Sequence, residues 1–281
     1  MAVVYALFCL LFAAVNDLVF KKYADRFGAR GAFVSLIGLV WFVLMVWLPW
    51  GVDSDVGATV LWGAISGAFS LSANLLLMEA MKRESAGMCS TLYRLNLIFV
   101  VAGAFLWLGE SVSAMQIVGI LLALLAILAF FPAGSHLFSV RSAGFYLALL
   151  AAILRAGMGL SYKYGFTHGA DANGVVVINS LFWLFGGMAY ALVLERRASI
   201  RDRSLLSYGV FSGLLVSGIV FFMAASLRHG AASVVLPIAQ MSFIGTFILS
   251  IVFLGEGFSL RKLSAVLSGA AAVILLSISA A

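Results

Sequence analysis

The sequence predicts an all-α integral membrane protein with ten transmembrane helices, built as two inverted repeats of five helices each. Three observations lead to this fold class. The composition is too apolar for a water-soluble surface, ten apolar stretches of roughly membrane length follow one another, and the second half of the chain repeats residues of the first.

Composition indicates lipid as the solvent of this chain. Hydrophobic residues make up 64% of its 281 residues, charged residues only 10%, and the mean hydropathy is +1.15. Soluble proteins carry about 25% charged residues. The formal net charge of +6 does not indicate nucleic acid, because the basic residues fall in short loops between apolar stretches. Cys9 and Cys89 lie inside such stretches, which predicts buried thiols and neither a disulfide nor a metal site.

A window of about 20 residues, the length of a membrane-spanning helix, finds ten apolar stretches. The first has no basic residue before its apolar core, so we interpret it as a retained helix and not as a cleaved signal. None of the ten alternates polar and apolar residues as a barrel strand does. The stretches cover 3–21, 31–50, 57–80, 86–107, 113–131, 142–164, 173–194, 205–227, 231–253 and 260–278.

The chain repeats itself at an offset of 146 residues. Gly63 and Gly67 fall on Gly209 and Gly213, and Leu-Gly-Glu at 108–110 falls on Leu-Gly-Glu at 254–256. Near the start of the chain the offset is 141. These matches predict a first unit at 1–134 and a second at 135–281, each with five helices. Since five is odd, the second unit must enter the membrane from the opposite side, as in the inverted repeats of many secondary transporters.

Charged loop residues predict the orientation. With the N-terminus outside, thirteen basic residues fall in cytoplasmic loops and two in outside loops. Cytoplasmic loops are the ones enriched in Lys and Arg. The sequence therefore predicts both termini outside.

The order of these motifs resembles the ten-helix, EamA-like members of the drug/metabolite transporter superfamily. The resemblance rests on the two Leu-Gly-Glu turns, on Ser233-Val-Val-Leu-Pro-Ile238 at the ninth stretch, and on Asn16-Asp-Leu-Val-Phe-Lys-Lys22 at the end of the first. It implies ATP-independent transport of amino acids, related metabolites or drugs, and it is consistent with a bacterial cytoplasmic (inner) membrane. Many members of that superfamily keep both termini in the cytoplasm, so the resemblance and the charge count differ on orientation.

Arg94 and Arg155 are the main candidate site residues, since each lies near the middle of an apolar stretch. A mid-membrane arginine costs about 2.5–3.5 kcal/mol on insertion scales and is tolerated where it faces a polar cavity or a partner. One interpretation is a binding site for a carboxylate or phosphate, helped by Tyr93, Asn96 and Asn16. The other is an internal ion pair with Asp17 or Glu79. Tyr162 and Asn179 are further polar residues that can reach a central cavity.

Asp17 is the candidate for proton coupling, because a carboxyl group in a low-dielectric cavity has a raised affinity for protons. The alternatives are a hydrated position near the loop or neutralisation of Lys21 or Arg94. Glu79 lies one turn before Lys82 and Arg83, which favours an ion pair at the membrane surface.

Other motifs are predicted to be structural. Glu110 and Glu256 occupy tight turns before Ser113 and Ser259, and Ser113 with Gln116 fits a capping box. The Gly63/Gly67 and Gly209/Gly213 pairs predict close helix packing, within the chain or with a second protomer. Pro237 predicts a bend in the ninth helix.

Secondary transport by alternating access is therefore the predicted function, with a site near the membrane midplane lined by the first, third, fourth, sixth, eighth and ninth helices. The predicted partners are a small-molecule substrate, with or without a proton, and the lipid bilayer; both a monomer and a homodimer are compatible. No cofactor is predicted, and the sequence has no zinc-protease, nucleophile-elbow or P-loop motif. An intramembrane enzyme without such a motif, or a structural assembly partner, is the alternative.

Overall fold

A computed structural model describes residues 1–24, 29–51, 54–83, 86–129, 142–195, 203–254 and 260–279. All regular secondary structure in these ranges is helical. A π-helical turn, Ala191–Glu195, continues the eighth helix. The α-helices are α1 (Ala2–Ala24), α2 (Arg30–Met45), α3 (Val56–Met81), α4 (Ala86–Arg94), α5 (Asn96–Trp107), α6 (Ala114–Ala129), α7 (Ala143–Thr167), α8 (Ala172–Tyr190), α9 (Arg203–His229), α10 (Ala232–Gln240), α11 (Ser242–Leu254) and α12 (Leu260–Ile278).

Ten apolar helical segments account for these elements, as predicted. Six of those in the described ranges are long and apolar enough to cross a membrane, and four are shorter. The second stretch is shorter than predicted. The sequence predicts that it reaches residue 50, whereas α2 ends at Met45. Pro49 disfavours helical backbone in the residue before it. The long segments are Ala2–Phe20, Val56–Met81, Ala143–Thr167, Ala172–Glu195, Arg203–His229 and Ala232–Phe253; the short ones are Arg30–Met45, Thr91–Trp107, Ala114–Ala129 and Leu263–Ile278.

Several helix boundaries recur between the two halves. Helices α4, α5 and α6 begin at Ala86, Asn96 and Ala114, while α10, α11 and α12 begin 146 residues later, at 232, 242 and 260. The packing recurs as well: α3 packs on α7 and α8, and its counterpart α9 packs on α1 and α2. Helix α2 also packs on α8, and α6 on α12. The two halves therefore contact each other through equivalent helix pairs.

Helices α2 and α8 approach each other at the level of the main chain. A Cβ atom on Gly38 would lie 2.3 Å from the Leu184 nitrogen, and one on Gly187 would lie 2.5 Å from the Ser35 nitrogen. The Ser35 hydroxyl donates a hydrogen bond of 2.9 Å to the Leu184 carbonyl. Such close contact needs glycine, because any side chain would force the helices apart.

The glycine pairs predicted for helix packing lie against side chains of the other half. A Cβ on Gly63 or Gly67 of α3 would approach Ile178 or Phe182 of α8 to 2.8 Å. On α9, Gly209 and Gly213 lie in the same way against α2, where the neighbours are Leu36 and Val40.

Polar side chains fix the helix ends. The Asp55 carboxylate accepts from Gly57 N and Ala58 N at the start of α3, and Asp171 accepts from Gly174 N at the start of α8. The capping box predicted at Ser113 and Gln116 forms, with reciprocal bonds of 2.8 and 3.2 Å. These bonds satisfy amide groups that the first turn of a helix leaves without partners.

Helix α5 ends in the Leu-Gly-Glu turn. Gly109 has a φ of +64°, and the Glu110 amide donates to the Ala104 carbonyl at 3.0 Å. This is the geometry of a glycine C-cap, which a side chain would strain. The second such turn, with Glu256, lies outside the described residues.

Candidate functional site

Two membrane helices are broken at equivalent positions. Leu95 separates α4 from α5, and Met241, 146 residues later, separates α10 from α11. Both breaks have the same hydrogen bonds: Leu95 N to Leu92 O and Ile98 N to Leu95 O in one, Met241 N to Ile238 O and Ile244 N to Met241 O in the other. Each break is therefore a tight turn with bonds between residues three apart, inserted into an α-helix.

The breaks release main-chain carbonyls inside the helix bundle. In a continuous helix the Gln240 carbonyl would accept from the Ile244 amide, but that amide binds the Met241 carbonyl instead. Pro237 lies inside α10, four residues before the second break. The first break has no proline, so proline is not required for this geometry. Broken helices near the membrane midplane form the sites of many carriers, because free carbonyls can bind polar groups there.

Arg94 is the last residue of α4, and its side chain contacts α1 and the second broken helix. Its Nη1 atom donates to the Gln240 carbonyl at 2.9 Å and to the Ser242 hydroxyl at 3.0 Å. Its Nη2 atom lies 2.6 Å from Oδ2 of Asp17. The guanidinium carbon is 5.3 Å from the centre of the Phe243 ring, a cation–π distance. Arg94 thus joins α4 to α1 and to both parts of the second broken helix.

In the described part of the chain, the contacts of the Asp17 carboxylate all involve one oxygen, Oδ2. Besides Arg94, the hydroxyls of Ser242 and Thr246 each donate to Oδ2 at 3.2 Å. The Asp17 side chain is 35% exposed and the Arg94 side chain 16%. Of the two acids proposed as partners for Arg94, Asp17 is the one in contact with it. Glu79 instead contacts Lys82, Tyr190 and Arg30 near the end of α3.

Arg155 has a different environment. It is the middle residue of the 25-residue helix α7, so about 18 Å of helix lies on either side of it at 1.5 Å per residue. Its Nη1 atom lies 3.0 Å from the Met158 sulfur, which is a weak acceptor. Among the described residues no carboxylate lies within 4.0 Å of its guanidinium. The positive charge of Arg155 is therefore not neutralised by an acid in this part of the chain.

Tyr93 lies in the neighbourhood of both arginines. It precedes Arg94 on α4 and lies within electrostatic reach of Arg155, Asp17 and Arg94. Asn96, after the break, donates from Nδ2 to the Tyr93 carbonyl at 2.8 Å, while its buried Oδ1 makes no hydrogen bond with any described residue. These two predicted site residues therefore lie at the first helix break. Asp17, Arg94 and Arg155 are called the central charged cluster below.

Asn16 is not among the contacts of this cluster. Its Oδ1 accepts a bond of 2.6 Å from the Ser212 hydroxyl of α9, and its side chain is buried. On α3, the equivalent serine, Ser66, accepts from Asn179 at 2.9 Å. Equivalent serines in the two halves therefore each bind an asparagine, but the asparagines come from helices that are not equivalent, α1 in one case and α8 in the other.

Four contacts of Arg94 and Asp17 were missed by the sequence analysis: the Gln240 carbonyl, Ser242, Phe243 and Thr246. One signal could have found the first two. Gln240 is the residue that the 146-residue offset matches to Arg94, and a break at one position predicts a break at the other. The contacts with the Phe243 ring and the Thr246 hydroxyl depend on how α11 is rotated about its axis, and the repeat does not determine that rotation.

Glu110 joins the two halves of the chain away from this cluster. One carboxylate oxygen accepts from Ala232 N at 2.7 Å, and the other accepts from the amide and the hydroxyl of Ser233 at 2.9 and 2.6 Å. Glu110 thus caps α10, a helix in the other half of the chain. Nearby, Lys163 donates to the carbonyls of Leu227 and Gly230 at the end of α9.

Comparison with known proteins finds a matching protein family and a solved structure of similar fold. Residues 1–131 match the EamA-like transporter family, whose members are transporters, and the match is consistent with the drug/metabolite transporter superfamily. One solved crystal structure has the same fold: its TM-score is 0.80 at 13% identity, over 99% of this chain and 97% of the other. No curated protein sequence matches. The apolar helices and the EamA-like domain together identify a multi-pass integral membrane protein.

Proposed function

From the EamA-like transporter domain that residues 1–131 form, we propose that this chain is a secondary transporter. It moves a small metabolite, such as an amino acid or another carboxylate-bearing or amphipathic compound, across the cytoplasmic membrane without ATP. The supporting observation is the pair of equivalent helix breaks at Leu95 and Met241, which meet at Arg94. Charged groups and released carbonyls at membrane depth are expensive, and their common role is to bind a polar substrate.

Alternating access is the proposed mechanism. The two halves rock against each other as inverted repeats, and the substrate site lies at the central charged cluster, between α1, α3, α4–α5, α7, α9 and α10–α11. The packing of α3 on α7 and of α9 on α1 supports this choice of helices. Tyr93, Asn96 and Asn16 complete the polar lining in this proposal, and Asp17 is the site of proton coupling.

Counterflow in proteoliposomes tests the proposal. Vesicles loaded with an unlabelled amino acid or organic acid should accumulate the labelled compound transiently, and mass spectrometry should recover it unchanged. Arg94→Ala and Arg155→Ala should abolish exchange, whereas Arg203→Ala, at the exposed start of α9, should retain it. Chemical conversion would favour the enzyme alternative. Lack of exchange for every compound would contradict transport and favour a structural partner.

Reporter fusions test the orientation. The charge count predicts both termini outside, so alkaline phosphatase fused after residue 279 should be active and a cytoplasmic reporter inactive. The opposite pattern would place both termini in the cytoplasm, in agreement with many members of the superfamily.

A further inference from the structure

The two membrane arginines have unequal numbers of partners. Arg94 is neutralised by Asp17 and fixed by three further groups: the Gln240 carbonyl, the Ser242 hydroxyl and the Phe243 ring. To bind a substrate, Arg94 would have to give up at least one of these contacts. Arg155 has the Met158 sulfur as its only hydrogen-bond partner in the described part of the chain. Arg155 is therefore the arginine that can accept a new anionic partner without breaking an ion pair.

A second polar group on α7 has no hydrogen-bond partner among the described residues. The Tyr162 side chain is fully buried and its hydroxyl makes no hydrogen bond in the described structure. Tyr162 follows Arg155 by two turns of α7 and therefore lies on the same face. Side chains on a helix tend to lean towards its N-terminus, which is the direction of Arg155 from Tyr162, and the charge of Arg155 acts on Tyr162. A buried hydroxyl without a partner costs about 1–3 kcal/mol, a cost that a bound acceptor would remove.

The charge of Arg155 limits what can bind beside it. Asp17 and Arg94 neutralise each other, whereas the single positive charge of Arg155 has no acid partner among the described residues. At mid-membrane a charge is stabilised when it is paired. A single carboxylate balances it. A dicarboxylate or a phosphate monoester, with a charge of about −1.5 to −2, leaves excess negative charge, and an amine adds positive charge.

We propose that Arg155 and the Tyr162 hydroxyl bind the carboxylate of a substrate that has this one anionic group, while Arg94 acts as a positioning residue between α1 and the second broken helix. The guanidinium donates to the carboxylate in a two-pronged arrangement, and the hydroxyl donates a further bond. This inference rests on the proposed transport function and names the chemical class of its substrate.

Ligand-induced thermal stabilisation of the purified protein in detergent tests the charge preference. Ligands that bind the folded state raise the unfolding midpoint. The probes are butyrate and benzoate, compared with terephthalate, phenyl phosphate and benzylamine. We expect a monocarboxylate to stabilise the protein at lower concentration than any other probe. Tighter binding of a dianion or of the amine, or no stabilisation by any probe, would overturn the inference.

Variants test the two residues. Arg155→Gln should raise the half-saturating monocarboxylate concentration about tenfold to a hundredfold, and Tyr162→Phe about threefold to tenfold, as expected for charged and neutral hydrogen bonds. Arg203→Gln is the matched control and should leave it unchanged. Arg155→Lys keeps the positive charge but cannot donate two parallel hydrogen bonds, so it should give an intermediate half-saturating concentration. It also provides a measurement at this position if Arg155→Gln does not fold. Unchanged binding in both Arg155 variants would refute the assignment.

Counterflow separates this inference from the proposed function. If the wild-type protein exchanges a compound but neither the charge preference nor the Arg155 dependence is found, the inference fails and transport stands. If monocarboxylates bind through Arg155 but no compound is exchanged, the site stands and transport fails.

Discussion

Arg94 donates a hydrogen bond of 2.9 Å to the main-chain carbonyl of Gln240, the residue equivalent to it in the second half of the chain. The carbonyl is available because the helix breaks one residue later, at Met241, in the same way as the first half breaks at Leu95. A single bond therefore links the two equivalent points of the repeat. It also makes Arg94 sensitive to the relative position of the two halves.

The Asp17–Arg94 pair should show energetic coupling. Asp17→Asn and Arg94→Gln should each lower the free energy of unfolding, because each leaves a charged partner in a poorly solvated site. In a double-mutant cycle we expect a coupling energy of about 1–3 kcal/mol, below the value for a fully buried pair because Asp17 is 35% exposed. Thermal and denaturant unfolding in detergent micelles provides the measurement. Strictly additive effects would show that the pair contributes nothing to stability.

Replacing Pro237 should have little effect on the helix break. The turn at Leu95 has the same hydrogen bonds without a proline, so Pro237→Ala should keep the turn at Met241 and change stability by about 1 kcal/mol or less. Counterflow rates and unfolding midpoints of the variant and the wild type check this. Loss of exchange with normal stability would show that the proline itself is required.

Removal of the Glu110 carboxylate should loosen the start of α10. Glu110→Ala removes three accepted bonds and should destabilise the protein by about 1–3 kcal/mol, while Ser233→Ala removes one and should cost about 0.5–1.5 kcal/mol. Hydrogen exchange at residues 232–236 is the direct measurement, with Glu110→Gln as the control that keeps an acceptor. Equal protection in the alanine variant and the wild type would contradict the capping role.

A methyl group at Gly213 should disturb the contact between α9 and α2. The new Cβ would lie 2.6 Å from the Val40 Cβ, so Gly213→Ala should cost about 1–3 kcal/mol. Adding Val40→Ala removes the clash and should restore part of the stability. Unfolding midpoints of both single variants and the double variant decide this. A double variant no more stable than Gly213→Ala would show that the strain lies elsewhere.

The sequence predicted features that depend on local pattern. Ten apolar segments, the capping box at Ser113 and the pairing of Arg94 with Asp17, as one of two alternatives, could be read from residue types and spacing. Contacts between distant parts of the chain could not. Glu110 caps α10, 122 residues away, and no local pattern identifies that helix. The break at Leu95 has no proline or glycine to mark it, so only its equivalence to the region of Pro237 could have suggested it.

The meeting of α2 and α8 has a mechanical consequence. Helices that pack through interdigitated side chains cannot rotate against each other without repacking those side chains. At Gly31, Gly38 and Gly187 no side chains interdigitate, because the main chains are in direct contact. In the proposed alternating-access mechanism, α2 and α8 could therefore rotate against each other at this crossing without repacking side chains. The Ser35–Leu184 hydrogen bond would stabilise one crossing angle and would have to break before the angle changes.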